Sequence, residues 1–185
     1  MKLSSMTRGL LFFFLAIAIA GSPLAAGTGQ ASEETQWEAG AQGGLSFNSK
    51  DESFTQYEAL LNYKLPWRWK WDGVIDVGTR LTSSLGALRG GGETGAIGTL
   101  GFGFVFGDGH DFRVRAGSAL TGMTKKQYGD EDFGTYFQFT SYIGMAYTFW
   151  DELSAHVRVQ HMSNASLSGE NPGLNMIMFG LSYAF

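Results

Sequence analysis

The sequence predicts an all-β chain, an eight-stranded antiparallel transmembrane β-barrel, and three observations carry the prediction. Period-two alternation of apolar and polar residues recurs from Trp37 to the last residue, with no sustained 3.6-residue periodicity after the N-terminal stretch. The alternating segments number eight, an even count, and the last ends on an aromatic residue, Phe185, on its apolar face. The composition is aromatic and glycine-rich, with 27 Gly, 15 Phe, seven Tyr and five Trp against three Pro, which suits short strands girdled by aromatic side chains better than helices. Alternation alone would also suit a soluble sandwich. The deciding feature is the charged set Glu38, Glu58, Lys64, Asp76, Arg80, Arg113, Arg115 and Arg158. These residues carry both signs, share the polar faces and would pair inside a narrow barrel, leaving the outer wall apolar.

The N-terminal stretch reads differently. Lys2 and Arg8 precede an apolar run, Leu10 to Ala20, that ends in small residues. This is the pattern of a secretory signal peptide over residues 1–26, with Ala31 as a later cleavage position. The run is shorter than the ~20 apolar residues that a spanning helix needs. The barrel domain is then expected over residues 27–185. The chain has no cysteine, which excludes disulfides and thiol chemistry, and its net charge of −4 without a basic stripe gives nucleic-acid binding no support.

The segments follow in order. In the first, Trp37, Ala39, Ala41, Leu45 and Phe47 share a face against Glu38, Gln42 and Ser46. In the second, Tyr57, Ala59, Leu61, Tyr63 and Leu65 oppose Gln56, Glu58, Asn62 and Lys64, with Leu60 as an exception. The third sets Ile75, Val77 and Leu81 against Asp76 and Arg80, and the fourth Ala96, Leu100, Phe102, Phe104 and Phe106 against Thr99, Gly101 and Gly103. The fifth sets Phe112, Val114, Ala116 and Leu120 against Arg113 and Arg115, and the sixth Phe137, Phe139, Ile143, Met145 and Tyr147 against Gln138, Thr140 and Gly144. The seventh alternates Leu153, Ala155, Val157 and Val159 with Ser154, His156, Arg158 and Gln160, and the eighth aligns Ile177, Phe179, Leu181, Tyr183 and Phe185.

Connection lengths set the orientation, because outer-membrane barrels have short periplasmic turns and longer outside loops. Segments 48–54, 83–93, 122–132 and 165–173 are expected as outside loops, and 66–71, 107–111 and 150–152 as periplasmic turns. Trp67, Trp69, Trp71 and Trp150 then cluster at the periplasmic interface, where an indole is favoured.

Polar groups on a lipid-facing wall cost free energy, so each one needs a reason. The outward face of the seventh segment continues through His161 and Ser163, two residues apart and therefore adjacent on one face near the extracellular end. An imidazole beside a hydroxyl is the base and nucleophile that ester hydrolysis requires. Parity on the eighth segment turns Asn175 outward at the same rim, within reach of the imidazole. This chemistry needs no cofactor or metal, and the three histidines have no metal-ligand spacing. His110 falls in a turn, His156 faces inward, and Gly90-Gly91-Gly92 precedes no helix that would make it a phosphate cradle. Ser166 and Ser168 lie in a loop where parity fixes nothing.

The run His161-Met162-Ser163-Asn164-Ala165, followed by Asn171-Pro172-Gly173, resembles the lipid A 3-O-deacylases of the PagL type. The resemblance implies an eight-stranded outer-membrane barrel that cleaves an ester-linked acyl chain from the lipid A of lipopolysaccharide, its substrate partner in the outer membrane. It implies His161 as general base, Ser163 as nucleophile and Asn164 as a contributor to the oxyanion hole. The family's third triad member is a glutamate, and by spacing this chain has Asn175 there. An amide accepts the imidazole N–H but supplies no charge. Glu170 is the nearest carboxylate that a folded-back loop would bring to His161. The sequence leaves two other readings open, a non-catalytic structural or adhesion barrel and an outer-membrane phospholipase or general esterase, and it is compatible with a homodimer.

Overall fold

The computed structural model describes residues 36–47, 52–71, 75–107 and 111–185. The expected signal peptide, His110 and part of the first outside loop lie outside the described residues. The described residues form ten strands: β1 (Trp37–Ser46), β2 (Thr55–Trp71), β3 (Ile75–Gly90), β4 (Glu93–Phe106), β5 (Phe112–Met123), β6 (Gln127–Tyr128), β7 (Glu131–Asp132), β8 (Phe137–Trp150), β9 (Leu153–Ser163) and β10 (Leu174–Ala184). Eight of them close an antiparallel barrel in the order β1-β10-β9-β8-β5-β4-β3-β2, and β6 and β7 make a separate small hairpin. Closure runs from the pair Glu38–Ala184 to the pair Ser46–Met176, so no sheet edge is left unpaired between the first and last barrel strands.

The outer wall is apolar as the alternation requires. Leu45, Tyr57, Leu85, Leu100, Phe102, Leu120, Ile143 and Phe179 are all exposed on it. The lumen holds the charged set. Both terminal nitrogens of Arg115 donate to Glu38, at 3.0 and 2.8 Å, and Arg80 reaches the same carboxylate at 3.5 Å. Arg158 donates to Glu58 at 3.3 Å and stacks over the Tyr142 ring at 4.8 Å. Gln42 and Ser84 also donate to Glu58. Such neutralised, hydrogen-bonded charges are the form in which burial is tolerated.

The extracellular end of the lumen departs from the polar interior that the sequence suggests. Phe54, Leu88, Ile97, Met123, Tyr128, Phe133, Met162, Leu174, Met176 and Met178 form one buried apolar cluster there. The rings of Phe54, Tyr128 and Phe133 meet edge to face with centroids 5.6 to 6.0 Å apart, a favourable quadrupole geometry. The β6–β7 hairpin contributes Tyr128 to this plug, and Phe133 follows it directly.

Several expected connections are strands instead. Residues 83–90 belong to β3, and only Gly91 and Gly92 turn, with φ of 52° and 75°. Two consecutive positive φ values define the tight hairpin turn that glycine adopts without strain. The tip is pressed against the β6–β7 hairpin, since a Cβ on Gly91 would meet the Gly129 backbone nitrogen at 2.4 Å. At the other end Pro66 to Trp71 continue β2, with a bulge between Leu65 and Arg68. Pro66 has no N–H to give the ladder, so the register slips there, and the Thr79 hydroxyl donates to the Trp67 carbonyl at 2.8 Å. In the expected loop 122–132, Met123 closes β5 and residues 127–132 build β6 and β7.

Candidate active site

The site is assembled on β9 and β10 from both sides of the wall. Met162 and Leu174 are register partners and point into the apolar plug, each 2 % exposed. Their burial fixes the phase of both strands, and a period of two then turns His161, Ser163 and Asn175 to the lipid side. A one-residue slip would expose the methionine and bury the imidazole.

His161 and Asn175 are direct cross-strand partners, and His161 Nδ1 lies 2.8 Å from Asn175 Oδ1. A carboxamide oxygen only accepts, so Nδ1 carries the proton and Nε2 keeps its lone pair. The amide therefore selects the tautomer in which the far nitrogen is basic. Ser163 follows two residues on, half-buried on the same face. Its hydroxyl makes no hydrogen bond among the described residues, to His161 or to any other group.

Gly173 closes the loop above the imidazole. Its φ is +67°, and a Cβ there would stand 3.1 Å from His161 Cε1. The glycine thus meets two needs at once, a left-handed backbone and space for the ring. Parity on the two strands gave no sign of this contact.

Asn164 does not stand beside Ser163 as an oxyanion donor, contrary to expectation. It is fully buried, and its Nδ2 donates to the Phe133 carbonyl at 3.0 Å, Ser168 Oγ at 3.0 Å and the Glu170 carbonyl at 2.6 Å. Its Oδ1 accepts the Ser166 N–H at 2.8 Å, and its own backbone N–H donates to Asn171 Oδ1 at 3.2 Å. Every polar atom of the carboxamide is spent on loop architecture. The alternative acid is not recruited either. The Glu170 carbonyl is held by Asn164 and Ser168, while its side chain is exposed and makes no bond to His161 among the described residues.

The loop so clamped starts with strain. Ala165 and Ser166 have φ of 51° and 65°, and the Leu167 N–H donates to the Asn164 carbonyl at 3.0 Å. This is a primed turn built without glycine, two residues from Ser163. Such backbone costs about 1–2 kcal/mol per residue and persists where the surroundings over-determine it. The Asn164 bonds supply that constraint.

Ser141 is a position that sequence reasoning passed over. It is the register partner of His161 on the β8 side and is exposed on the wall. Among the described residues no cluster of three or more His, Cys, Asp or Glu side chains is arranged to hold a metal.

Known proteins resemble this chain in the same regions. Its fold is similar to the crystal structure of the outer membrane enzyme PagL, with a TM-score of 0.67 and 20 % identity, over 80 % of this chain and 99 % of that one. The N-terminal β-barrel domain of Pseudomonas aeruginosa OprF is similar at a TM-score of 0.51 and 16 % identity, over 83 % of this chain and all of that one. In sequence the chain is 27 % identical over 152 residues to the lipid A deacylase PagL of Bordetella bronchiseptica, covering 78 % of this chain and 84 % of that protein. The family model described as lipid A 3-O-deacylase (PagL) matches residues 55–184, from the start of β2 to the end of β10. With the closed barrel and the outward His161–Asn175 pair, that match over most of the chain establishes that it belongs to the lipid A 3-O-deacylase (PagL) family.

Proposed function

We propose that this protein is an outer-membrane esterase that removes the 3-O-linked acyl chain of lipid A, with Ser163 as nucleophile and His161 as general base. The observation that carries the reading is the 2.8 Å bond from His161 Nδ1 to Asn175 Oδ1 on a lipid-facing wall. A polar pair is costly there without a task, and this pair holds the imidazole in its basic tautomer.

The chemistry follows from the protonation states. His161 Nε2 takes the Ser163 hydroxyl proton as Oγ attacks the ester carbonyl, and the tetrahedral oxyanion forms. The proton then passes from Nε2 to the departing sugar oxygen, leaving an acyl-serine, and water activated by the same nitrogen hydrolyses it. Rotation about the Ser163 χ1 bond brings Oγ to Nε2 on substrate binding. With the Asn164 carboxamide committed to its loop, Asn171 is the better oxyanion donor. Its Oδ1 already accepts the Asn164 N–H, and its own NH2 has no partner among the described residues. Lipid A reaches the wall by lateral diffusion within the outer leaflet, so no entry channel is needed.

One observation favours a second reading, a structural barrel with a decayed site: the carboxamide of Asn175 stands where a carboxylate would stabilise imidazolium. A single experiment separates the two. Lipid A is isolated from cells carrying no protein, the parent, Ser163→Ala or His161→Ala, and its acyl chains are weighed by mass spectrometry. The parent alone is expected to shift lipid A down by the mass of one acyl chain. The same acylation in all four samples would refute the enzymatic reading.

A further inference from the structure

Three guanidiniums in the lumen share one carboxylate. Glu58 is taken by Arg158, and Asp76 by Arg68, whose Nε and Nη2 donate to it at 2.8 and 2.6 Å. Glu38 is left to Arg115, which covers both its oxygens at 3.0 and 2.8 Å, and to Arg80 at 3.5 Å. Arg113 meets no acid. Its Nη2 donates to the Thr148 hydroxyl and, at 3.4 Å, to that of Ser154, while the exposed Asp111 forms no ion pair with it among the described residues. The Nε atoms of Arg80, Arg113 and Arg115 are buried without a hydrogen-bond partner among the described residues. Two positive charges thus stand uncompensated in a low-dielectric interior, a costly arrangement unless something offsets them.

The excess charge faces a space. Arg80 and Arg113 line a cavity of about 160 Å³ in the periplasmic half of the lumen, with Lys64, Arg68, Glu38 and Asp76 around it, so four cations border it against two carboxylates. Gly78 keeps it open. It lies between Asp76 and Arg80 on the lumen face of β3, and a Cβ there would meet nothing within 4 Å. One water needs about 10–15 Å³, so the cavity holds a small polyatomic ion together with several waters. Gln36 and Lys64, both exposed, form its rim at the periplasmic mouth. The apolar plug closes the opposite end of the lumen, so the cavity exchanges its contents with the periplasm.

We propose that this cavity is a binding site for a small oxyanion of the phosphate class, held between Arg80 and Arg113. Guanidinium N–H groups match the oxygens of such an anion in direction as well as charge. Donors are at hand, because Nη2 of Arg80 and Nη1 of Arg113 make no hydrogen bond among the described residues. The Thr148 and Ser154 hydroxyls hold the Arg113 fork in place, and both oxygens of Glu38 are turned to Arg115. A divalent anion brings the cluster of three guanidiniums and one carboxylate to neutrality. The site lies inside the barrel, on the opposite side of the wall from His161 and Ser163, and does not depend on their chemistry.

The test titrates inorganic phosphate into the full-length protein in maltoside micelles by calorimetry, with ionic strength held constant by sodium chloride. The parent and Lys126→Gln, which removes a cation at the extracellular end, are expected to bind one phosphate with a Kd of about 1 mM or tighter. Arg113→Met is expected to weaken binding by about tenfold or more, the loss of one charge-assisted hydrogen bond. A parent that binds no phosphate, or an Arg113→Met protein that binds it as well as the parent, overturns the proposal. A second measurement needs no variant to fold. In the parent, phosphate should shift the Nε–H resonances of Arg80 and Arg113 and leave that of the exposed Arg89 in place, and equal shifts at all three would show screening alone and overturn the site. Glycerol 3-phosphate separates the sources of the anion within the proposal: a Kd like that of phosphate means that the mouth admits a phosphomonoester, and no binding means that the ligand is the free ion.

Discussion

The His161–Asn175 bond fixes a tautomer without supplying a charge, and that difference has a kinetic signature. A carboxamide oxygen holds the Nδ1 proton in place, but imidazolium formed in the transition state gains little from a neutral dipole. Replacing the acid of a serine triad by its amide costs on the order of 10⁴ in kcat. Asn175→Glu is therefore expected to raise kcat at least tenfold, towards that bound, as measured on a micellar acyl ester. Adding Ser163→Ala to the same background should remove the gain. Equal rates for the parent and the Asn175→Glu variant would mean that the bond's geometry, and not its charge, limits the reaction. Asn164 shows how alike two asparagines look in a sequence. Asn175 sits on an alternating strand, where parity alone turned it outward. Asn164 sits one residue past the end of β9, where the chain enters its primed turn and the side chain goes inward. The outward orientation of His161 and Ser163 was legible for the same reason as that of Asn175. Ser141 was not, because it is one polar residue in an otherwise apolar face, and its nearness to His161 depends on a register that no local pattern encodes.

At the scale of elements, the extracellular hairpin β6–β7 is held by an acid that works only when ionised. Asp132 Oδ1 accepts the Gly134 N–H at 2.8 Å, and Lys126 reaches its other oxygen at 3.3 Å. The Gly134 N–H bond, together with Lys126, keeps its pKa below the ordinary aspartate value of 3.8. A depressed carboxyl pKa adds stability above the unfolded value and loses it as pH falls through the folded one. Amide-exchange protection at Gly134, corrected for intrinsic rates, should be constant from neutral pH down to about 4 and fall below it. Asp132→Asn should flatten that profile, and a parent profile that is already flat would refute the role. The extracellular ends of β3 and β4, expected as a loop, were missed in the sequence for a physical reason. Inside the bilayer the wall is apolar outward, whereas above it the outer face meets water and the lumen face meets the plug. On β3 and β4 the alternation therefore inverts, with Leu88 and Ile97 inward and Arg89 and Thr94 outward. A pattern sought as outward apolar residues ends at the membrane surface, although the strands do not.

For the whole molecule, the lumen is the store of stability. Glu38 accepts from Arg115, Arg80 and Asn62, on three different strands, and so ties β2, β3 and β5 to β1 across the barrel. Removing its charge leaves two buried guanidiniums uncompensated, the situation in which breaking an ion pair costs about 3–5 kcal/mol. Glu38→Gln is expected to lower the free energy of unfolding, measured by guanidinium titration in micelles, by an amount of that order. Asp76→Asn, near the periplasmic mouth, where the partner Arg68 is about a third exposed, should cost less. Equal losses for the two variants would show that depth in the lumen does not set the energy.

The same filling has a consequence for the cell envelope. Ion pairs occupy the middle of the barrel and the Phe54–Tyr128–Phe133 plug its outer end. All of the candidate chemistry stands on the outside of the wall. Work on lipid therefore proceeds without opening a hole in the membrane, and a cell can vary the amount of this protein while the permeability of its outer barrier stays the same.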